Sequence, residues 1–321
     1  MVARTRYAPD RGLSVRMGLT MFLLGLVFVA FVAAIIGISA ALHASDGAIV
    51  FFAVVLGGGL AIGSLFYSDK IALSSAQAQL VTPQQAPELH GIVDRVCALA
   101  DMPKPRIAIS PTDLPNAFAT GRNSEHAVLC VTQGIQRRLT PEELEGVIAH
   151  ELSHVAHKDV MVMTVASFLG IIAGLLIRFS FYGELFGGGG RRGGNNQNGG
   201  ALPIFLIIMG VSIVVYAVSF LLIRLLSRYR ELAADRSGAL LTGQPSALKS
   251  ALVKVSGDIN KIPTKDLRTA EPLNAFFFAP AAHLTVSGGK KSLAQIFSTH
   301  PSLERRLAEL DKIQQQLNQR Q

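Results

Sequence analysis

His150-Glu151-Leu152-Ser153-His154 is the stretch on which the reading of this chain turns. On an α-helix, positions i and i+4 share a face one turn apart, so both imidazoles reach one metal ion while Glu151 points beside it. Zn²⁺ accepts neutral histidine nitrogen, keeps a water on an open position in catalytic sites, and lowers that water's pKa toward neutrality. A carboxylate next to such a water can take its proton as a general base. The rival readings are a structural zinc or a salt-bridged helix. Just upstream, Thr140-Pro141-Glu142-Glu143 spells a helix start, with threonine as N-cap, proline at the first helical position and Glu143 closing a capping box. Ile148, Leu152 and Val155 form an apolar stripe for a core, and His150 and His154 look elsewhere.

Outward from this helix the chain turns apolar. Half of its 321 residues are hydrophobic and 16% are charged, against roughly 25% charged in ordinary globular domains. Residues 17–42 and 47–68 contain no charged side chain and read as a helical hairpin, each long enough for a hydrocarbon core that needs roughly 20 apolar residues. Residues 160–177 form a third span, short enough to be a buried core helix instead, and residues 201–223 form a fourth. The first run is too long for the apolar segment of a secretory signal and reads as an uncleaved anchor. Arginines 4, 6, 11 and 16 before the first span, Lys70 after the second, and Arg228 and Arg230 after the fourth place these flanks in the cytoplasm. The glycine- and asparagine-rich residues 183–200 read as a flexible external loop.

Much of the net charge of +8 lies beside membrane segments, where topology and anionic lipid account for it. No aromatic-interleaved basic groove exists, so the expected partner is the lipid bilayer, not nucleic acid. Cys97 and Cys130 lack CxxC spacing and read as buried small hydrophobes without a disulfide.

The chain therefore divides into residues 1–70 with the first hairpin, a cytosolic segment 71–158, a second hairpin over 159–226, and a cytosolic segment 227–321. In the first soluble segment, Pro87 to Ala100 has helical periodicity, and Arg106–Ser110 and Ala127–Val131 read as short strands. Asn116-Ala-Phe-Ala-Thr-Gly121 lies between them as a loop. The arrangement suggests either a small sheet whose edge can pair with an extended peptide or a simple hairpin. In the second segment, Glu231 and Asp235 share a helix face. An isolated pair of this kind is usually a solvated surface. Here the zinc helix runs almost directly into span three and span four runs almost directly into Glu231, so a site short of one protein ligand has a carboxylate neighbour. His157 and Asp159 follow the histidine motif closely, and His157 reads as a residue that caps the helix or borders the interface.

Four motifs in order, Asn116-Ala-Phe-Ala, His150-Glu-Leu-Ser-His154, Ser227-Arg-Tyr-Arg-Glu-Leu-Ala-Ala-Asp235 and Thr299-His-Pro-Ser-Leu-Glu-Arg-Arg-Leu307, resemble the HtpX-type membrane zinc metalloproteases. These are relatives of the CaaX prenyl endopeptidases, and the resemblance covers nearly the whole chain. It implies Glu231 as third zinc ligand beside His150 and His154, and Asp235 as the residue orienting a ligating histidine. It also implies Asn116 as part of a strand that binds substrate by β-addition, and His300 either at the substrate or as a turn residue before a helix starting near Ser302. Leu232 stands where the family has an aromatic residue, and Ser302 where it has a second proline.

The expected fold is a mainly α-helical integral membrane protein with four transmembrane helices and a cytosolic zincin-like α+β protease domain containing a small β-sheet. The expected activity is a one-zinc endopeptidase in a bacterial-type inner membrane, its active site facing the cytoplasm and Glu151 acting as general base. The resemblance suggests misfolded or damaged membrane proteins, or other unfolded polypeptides, as substrates in protein quality control. The alternatives are a prenyl-protein endopeptidase and a non-enzymatic metal transporter or sensor. The latter lacks charged groups within the spans and an inverted repeat. Nothing in the sequence sets an oligomeric state.

Overall fold

The computed structural model describes residues 11–41, 47–187, 201–259 and 299–319. In chain order the elements are α1 (Arg11–Ala41), α2 (Gly47–Ser75), β1 (Gln79–Leu80), α3 (Pro87–Ala100), β2 (Arg106–Ser110), β3 (Ala117–Thr120), β4 (Val128–Thr132) and α4 (Gln133–Arg138). They continue with α5 (Pro141–Ala156), α6 (Asp159–Gly187), α7 (Ala201–Thr242), α8 (Pro245–Ile259) and α9 (Leu303–Asn318). The chain forms two compact units, one of Met17–Ser64 with Met163–Leu226, the other of Met1–Arg16, Leu65–Val162 and Ser227–Gln321.

The first unit is purely helical. Phe31 and Ile35 of α1 pack with Leu169, Ile172, Ala173 and Leu176 of α6 and with Ile208 and Val215 of α7. Around this seam the helices turn large apolar side chains outward, Phe22 being 66% and Val214 62% exposed, which is the surface lipid covers. Among the described residues Ser14–Gly37, Asp159–Arg178 and Leu206–Thr242 are long and apolar enough to cross a membrane. The helix of the expected second span, α2, contributes the shorter apolar stretch Val54–Gly63. In Asp159–Arg178, the helix of the expected third span, 28% of the apolar window is buried. That helix also runs on to Gly187, past the expected end at residue 177. The rest of the glycine-rich loop, 188–200, lies outside the described residues.

The second unit is built on a four-stranded sheet in the order β1-β2-β4-β3. β2 and β4 are parallel, so the hairpin alternative for these two strands is wrong. The segment read as a loop supplies β3, antiparallel to β4 at the edge. Every residue of β4 is buried, because side chains alternate between two covered faces. On one face Ile107, Ala117, Leu129 and Val131 meet α3, α5, α8 and α9 through Val93, Val96, Ile148, Leu152, Leu248 and Leu310. On the other, Ala108, Phe118, Val128 and Cys130 meet Ala72 and Ala76 at the end of α2. This two-sided burial hid β3 in the sequence, since it erases the apolar–polar alternation that marks a half-exposed strand. Gly121 ends β3 at φ +128, with the place of a Cβ only 2.5 Å from the His126 carbonyl oxygen, so only glycine fits there.

Candidate metal centre

α5 forms where its start signal predicts. Thr140 Oγ1 accepts from the Glu143 N–H (3.3 Å), and Glu143 accepts in return from the Thr140 N–H (2.9 Å), closing the capping box. The apolar face of α5, with Val147, Ile148 and Leu152 fully buried, fixes its rotation and so aims His150, Glu151 and His154 at one spot. The fourth expected span and the Glu231 segment are one unbroken helix, α7, of 42 residues. Gly238 lets α7 approach α5: a Cβ there would lie 2.9 Å from the His150 amide nitrogen. Glu231, Asp235 and Gly238 fall at i, i+4 and i+7, so the contact that glycine permits also brings both carboxylates to the histidines.

The result is a cluster in which one ligand atom each from His150, His154 and Glu231 lies within 4.8 Å of the others. The two histidine Nε2 atoms are 3.3 Å apart, and they sit 3.7 and 3.5 Å from the Glu231 carboxylate oxygens. Each imidazole has a carboxylate beside its other nitrogen. His150 Nδ1 is 3.0 Å from Asp235, and His154 Nδ1 is 2.6 Å from Asp159. An Nδ1–H committed to a carboxylate leaves Nε2 as the lone-pair face, the tautomer a metal ligand needs.

Each of these outer carboxylates is in turn held by an arginine. Arg306 of α9, with no exposed side-chain surface, grips Asp235 with two bonds of 2.7 and 2.6 Å. Arg230 of α7 pairs with Asp159 at 2.7 Å. His300 also approaches Glu231, its Nδ1 3.1 Å from the Oε2 that faces His150. Burial disfavours charge on His150, but bonds from Asp235 and Glu231 outweigh it and push its pKa up to about 9. Burial likewise holds the Glu151 carboxyl above its ordinary range, opposed by the neighbouring His150 and His154.

Glu151 faces the sheet edge, where its Oε2 accepts from the Ala119 N–H at 3.2 Å. Asn116 is buried, and its main chain is bound to β4: Thr132 N–H donates to its carbonyl, and its own N–H donates to Thr132 Oγ1, both at 3.0 Å. Antiparallel alternation then turns the N–H and C=O of Ala117 and Ala119 away from β4. His157 is exposed, and its main-chain N–H bonds Ser153 at the end of α5, so it caps the helix as expected. Ser302 N-caps α9, accepting from the Arg305 N–H at 3.4 Å.

The model of peptidase family M48 matches residues 83–314. The chain belongs to this family. The matched stretch of the M48 peptidase runs from the approach to α3 into α9 and takes in every residue of the cluster. The peptidase is 56% identical over 316 residues to Protease HtpX homolog 1 of Streptomyces coelicolor, with 98% of this chain and 97% of that one covered. It is 47% identical over 320 residues to the Protease HtpX homolog of Moorella thermoacetica, covering 99% of each. Among solved structures, S. mikatae Ste24p has a similar fold, with a TM-score of 0.50 and 16% identity over 94% of this chain and 67% of that one. The M48 peptidase is a metalloendopeptidase with membrane helices, which removes the non-enzymatic alternative.

Four positioning groups escaped the sequence reading: Asp159, Arg230, Gly238 and Arg306. In the sequence Asp159 stands out only by its closeness to the histidine motif, and Arg306 lies inside a quoted motif without a role. Gly238 had a faint signal, as a glycine on the Glu231–Asp235 face of a long helix.

Proposed function

We propose that the M48 peptidase is a zinc endopeptidase in which His150, His154 and Glu231 hold the metal and Glu151 moves the protons. The observation that carries this is the 3.3 Å separation of the two Nε2 atoms. Two nitrogens each about 2.05 Å from a tetrahedral zinc lie about 3.3 Å apart. When bound, zinc supplies Lewis-acid polarisation of the scissile carbonyl and acidifies a water.

The chain's own residues do the rest. Glu151 takes the proton of the attacking water on its carboxylate and later returns one to the leaving amine. Asp235 and Asp159 keep the Nδ1 proton on each histidine, and Arg306 and Arg230 keep those carboxylates in place. His300 holds Glu231. A substrate backbone pairs with the outward groups of Ala117 and Ala119 on β3, which brings a peptide bond beside Glu151 and leaves Asn116 to fix the strand. We further propose that residues 71–158 and 227–321 face the cytoplasm of an inner membrane crossed four times. The substrates are then misfolded or damaged membrane proteins, cut in their cytosolic regions.

The test is cleavage of an unfolded membrane protein by the purified full-length chain with and without a zinc chelator. Cleavage should stop on chelation and return with added zinc. Chelator-insensitive cleavage would refute the reading.

A further inference from the structure

Ala119 stands where the sheet edge meets the general base. β3 is an edge strand, and within it Ala119 is half-buried while Ala117, Phe118 and Thr120 are buried. A peptide arriving at this edge therefore meets Ala119 first. Thr132 N–H donates to the Asn116 carbonyl, so the antiparallel register commits Phe118, opposite Cys130, to β4 and turns the N–H of Ala119 outward.

That N–H is already in use. It donates to Glu151 Oε2 at 3.2 Å, and Glu151 is buried. A buried carboxylate retains such a donor, because a charged acceptor left without one is costly. An added strand needs the same group, since β-addition consists of main-chain N–H···O=C bonds. A main-chain N–H carries one hydrogen. It serves Glu151 or a substrate carbonyl at full strength, but not both.

Resting on the peptidase reading above, we infer that the Ala119 N–H is a latch on the general base. In the free enzyme it holds one oxygen of Glu151 at the sheet edge. When a peptide pairs with β3, one substrate carbonyl takes the N–H over, and the released oxygen accepts from the attacking water. Ala119 is thus a positioning group that ties proton transfer to main-chain pairing.

The test is a cycle between this N–H and the substrate carbonyls. The zinc-loaded full-length protein is given a short peptide spanning a cut mapped in the unfolded membrane protein, and versions in which one C=O outside the scissile bond is replaced by CH₂. In the parent, one such replacement should lower kcat by about ten-fold, the worth of roughly one hydrogen bond, because the latch stays closed. Ala119→Pro removes the N–H at an edge position, where proline is tolerated. With zinc content equal to the parent's, this variant should show no loss of kcat on that replacement. Lactic acid in place of Ala119, which exchanges the N–H for an ester oxygen and keeps the methyl group, should give the same result and serves if proline disturbs β3.

Three outcomes would overturn the latch and leave the peptidase standing. A replacement effect confined to KM would make Ala119 a binding contact alone. Equal losses of kcat with every peptide in the variants at 119 would make its N–H a fixed support for Glu151. An unmodified peptide left whole would show that main-chain pairing does not release the base. If the unfolded membrane protein yields no cut to map, the peptidase reading itself fails, and the latch with it.

Discussion

Arg306 and Asp235 form a bidentate ion pair from which solvent is excluded on both sides. Breaking a buried pair by removing one partner typically costs about 3–5 kcal/mol, because the other charge is left uncompensated. Arg306 also lies 3.8 Å from Glu231, so its loss takes a cation from two carboxylates. Arg306→Met should therefore lower the unfolding free energy of the detergent-solubilised protein by that order. The double change with Asp235→Asn should recover most of the loss, as it removes one stranded charge and keeps an oxygen for His150. A single-variant loss below about 1 kcal/mol would show that the pair is not closed to water.

Asp159 is the second such carboxylate, at the other histidine. Partners of this kind typically contribute 10–100-fold to metal affinity. Asp159→Ala should weaken zinc binding by about that factor in a chelator competition titration, and Asp159→Asn, which still offers an acceptor to Nδ1–H, should weaken it less. Equal affinity in all three proteins would remove Asp159 from the site.

Glu151 and Glu231 are distinguished by what their loss takes away. Glu151→Gln should keep about one zinc per chain and lose activity by about 10² to 10⁴, the contribution of a general base. Glu231→Ala should lose the metal itself or hold it far more weakly, because a catalytic zinc needs three protein ligands. Unchanged zinc content in Glu231→Ala, measured by elemental analysis, would send the search for the third ligand to His300, the next imidazole at the cluster.

Gly238→Ala sets two effects against each other. Alanine gains up to about 1 kcal/mol in helix propensity, but its Cβ would stand 2.9 Å from the His150 amide nitrogen, and overpacking of this kind costs about 1–3 kcal/mol. The clash should win. Thermal unfolding should shift down, and zinc affinity should fall with it as α7 is pushed off α5.

Glu143 gives a pH dependence away from the metal. Burial raises its pKa, but bonds from Lys254, Ser250 and the Thr140 main chain outweigh burial and hold it below its ordinary 4.5. A carboxylate with a depressed folded pKa contributes stability that is present above the unfolded value and lost as pH falls through the folded one. The difference in melting temperature between the parent and Glu143→Gln should be fully developed near neutral pH and shrink below about pH 4. A difference that grew on acidification would contradict the assignment.

The metal helix was legible in the sequence because its determinants are local. A capping box, a helical spacing of two histidines and an apolar stripe each lie within one or two turns. The apolar runs were legible for a similar reason, since length and lack of charge alone decide whether a helix can cross lipid. The Glu231–Asp235 pair stood out only because topology brought it near the motif, and its role rested on resemblance.

What the sequence could not supply were relationships between distant segments. β2 and β4 are parallel, and β3 is an edge strand, because side chains on both sheet faces find cores under α2 on one side and α3 and α5 on the other. Four residues, Ala117 to Thr120, carry no periodicity that announces such a strand. Arg306 enters the site from a helix 71 positions beyond Asp235, and Gly238 matters only where two helix backbones meet. The sequence by itself determined which groups could bind a metal and that several runs are long and apolar enough for a membrane. Tertiary packing decided which carboxylate faces which imidazole, since a side chain's partner across a core is set by how two elements pack and leaves no local pattern in either.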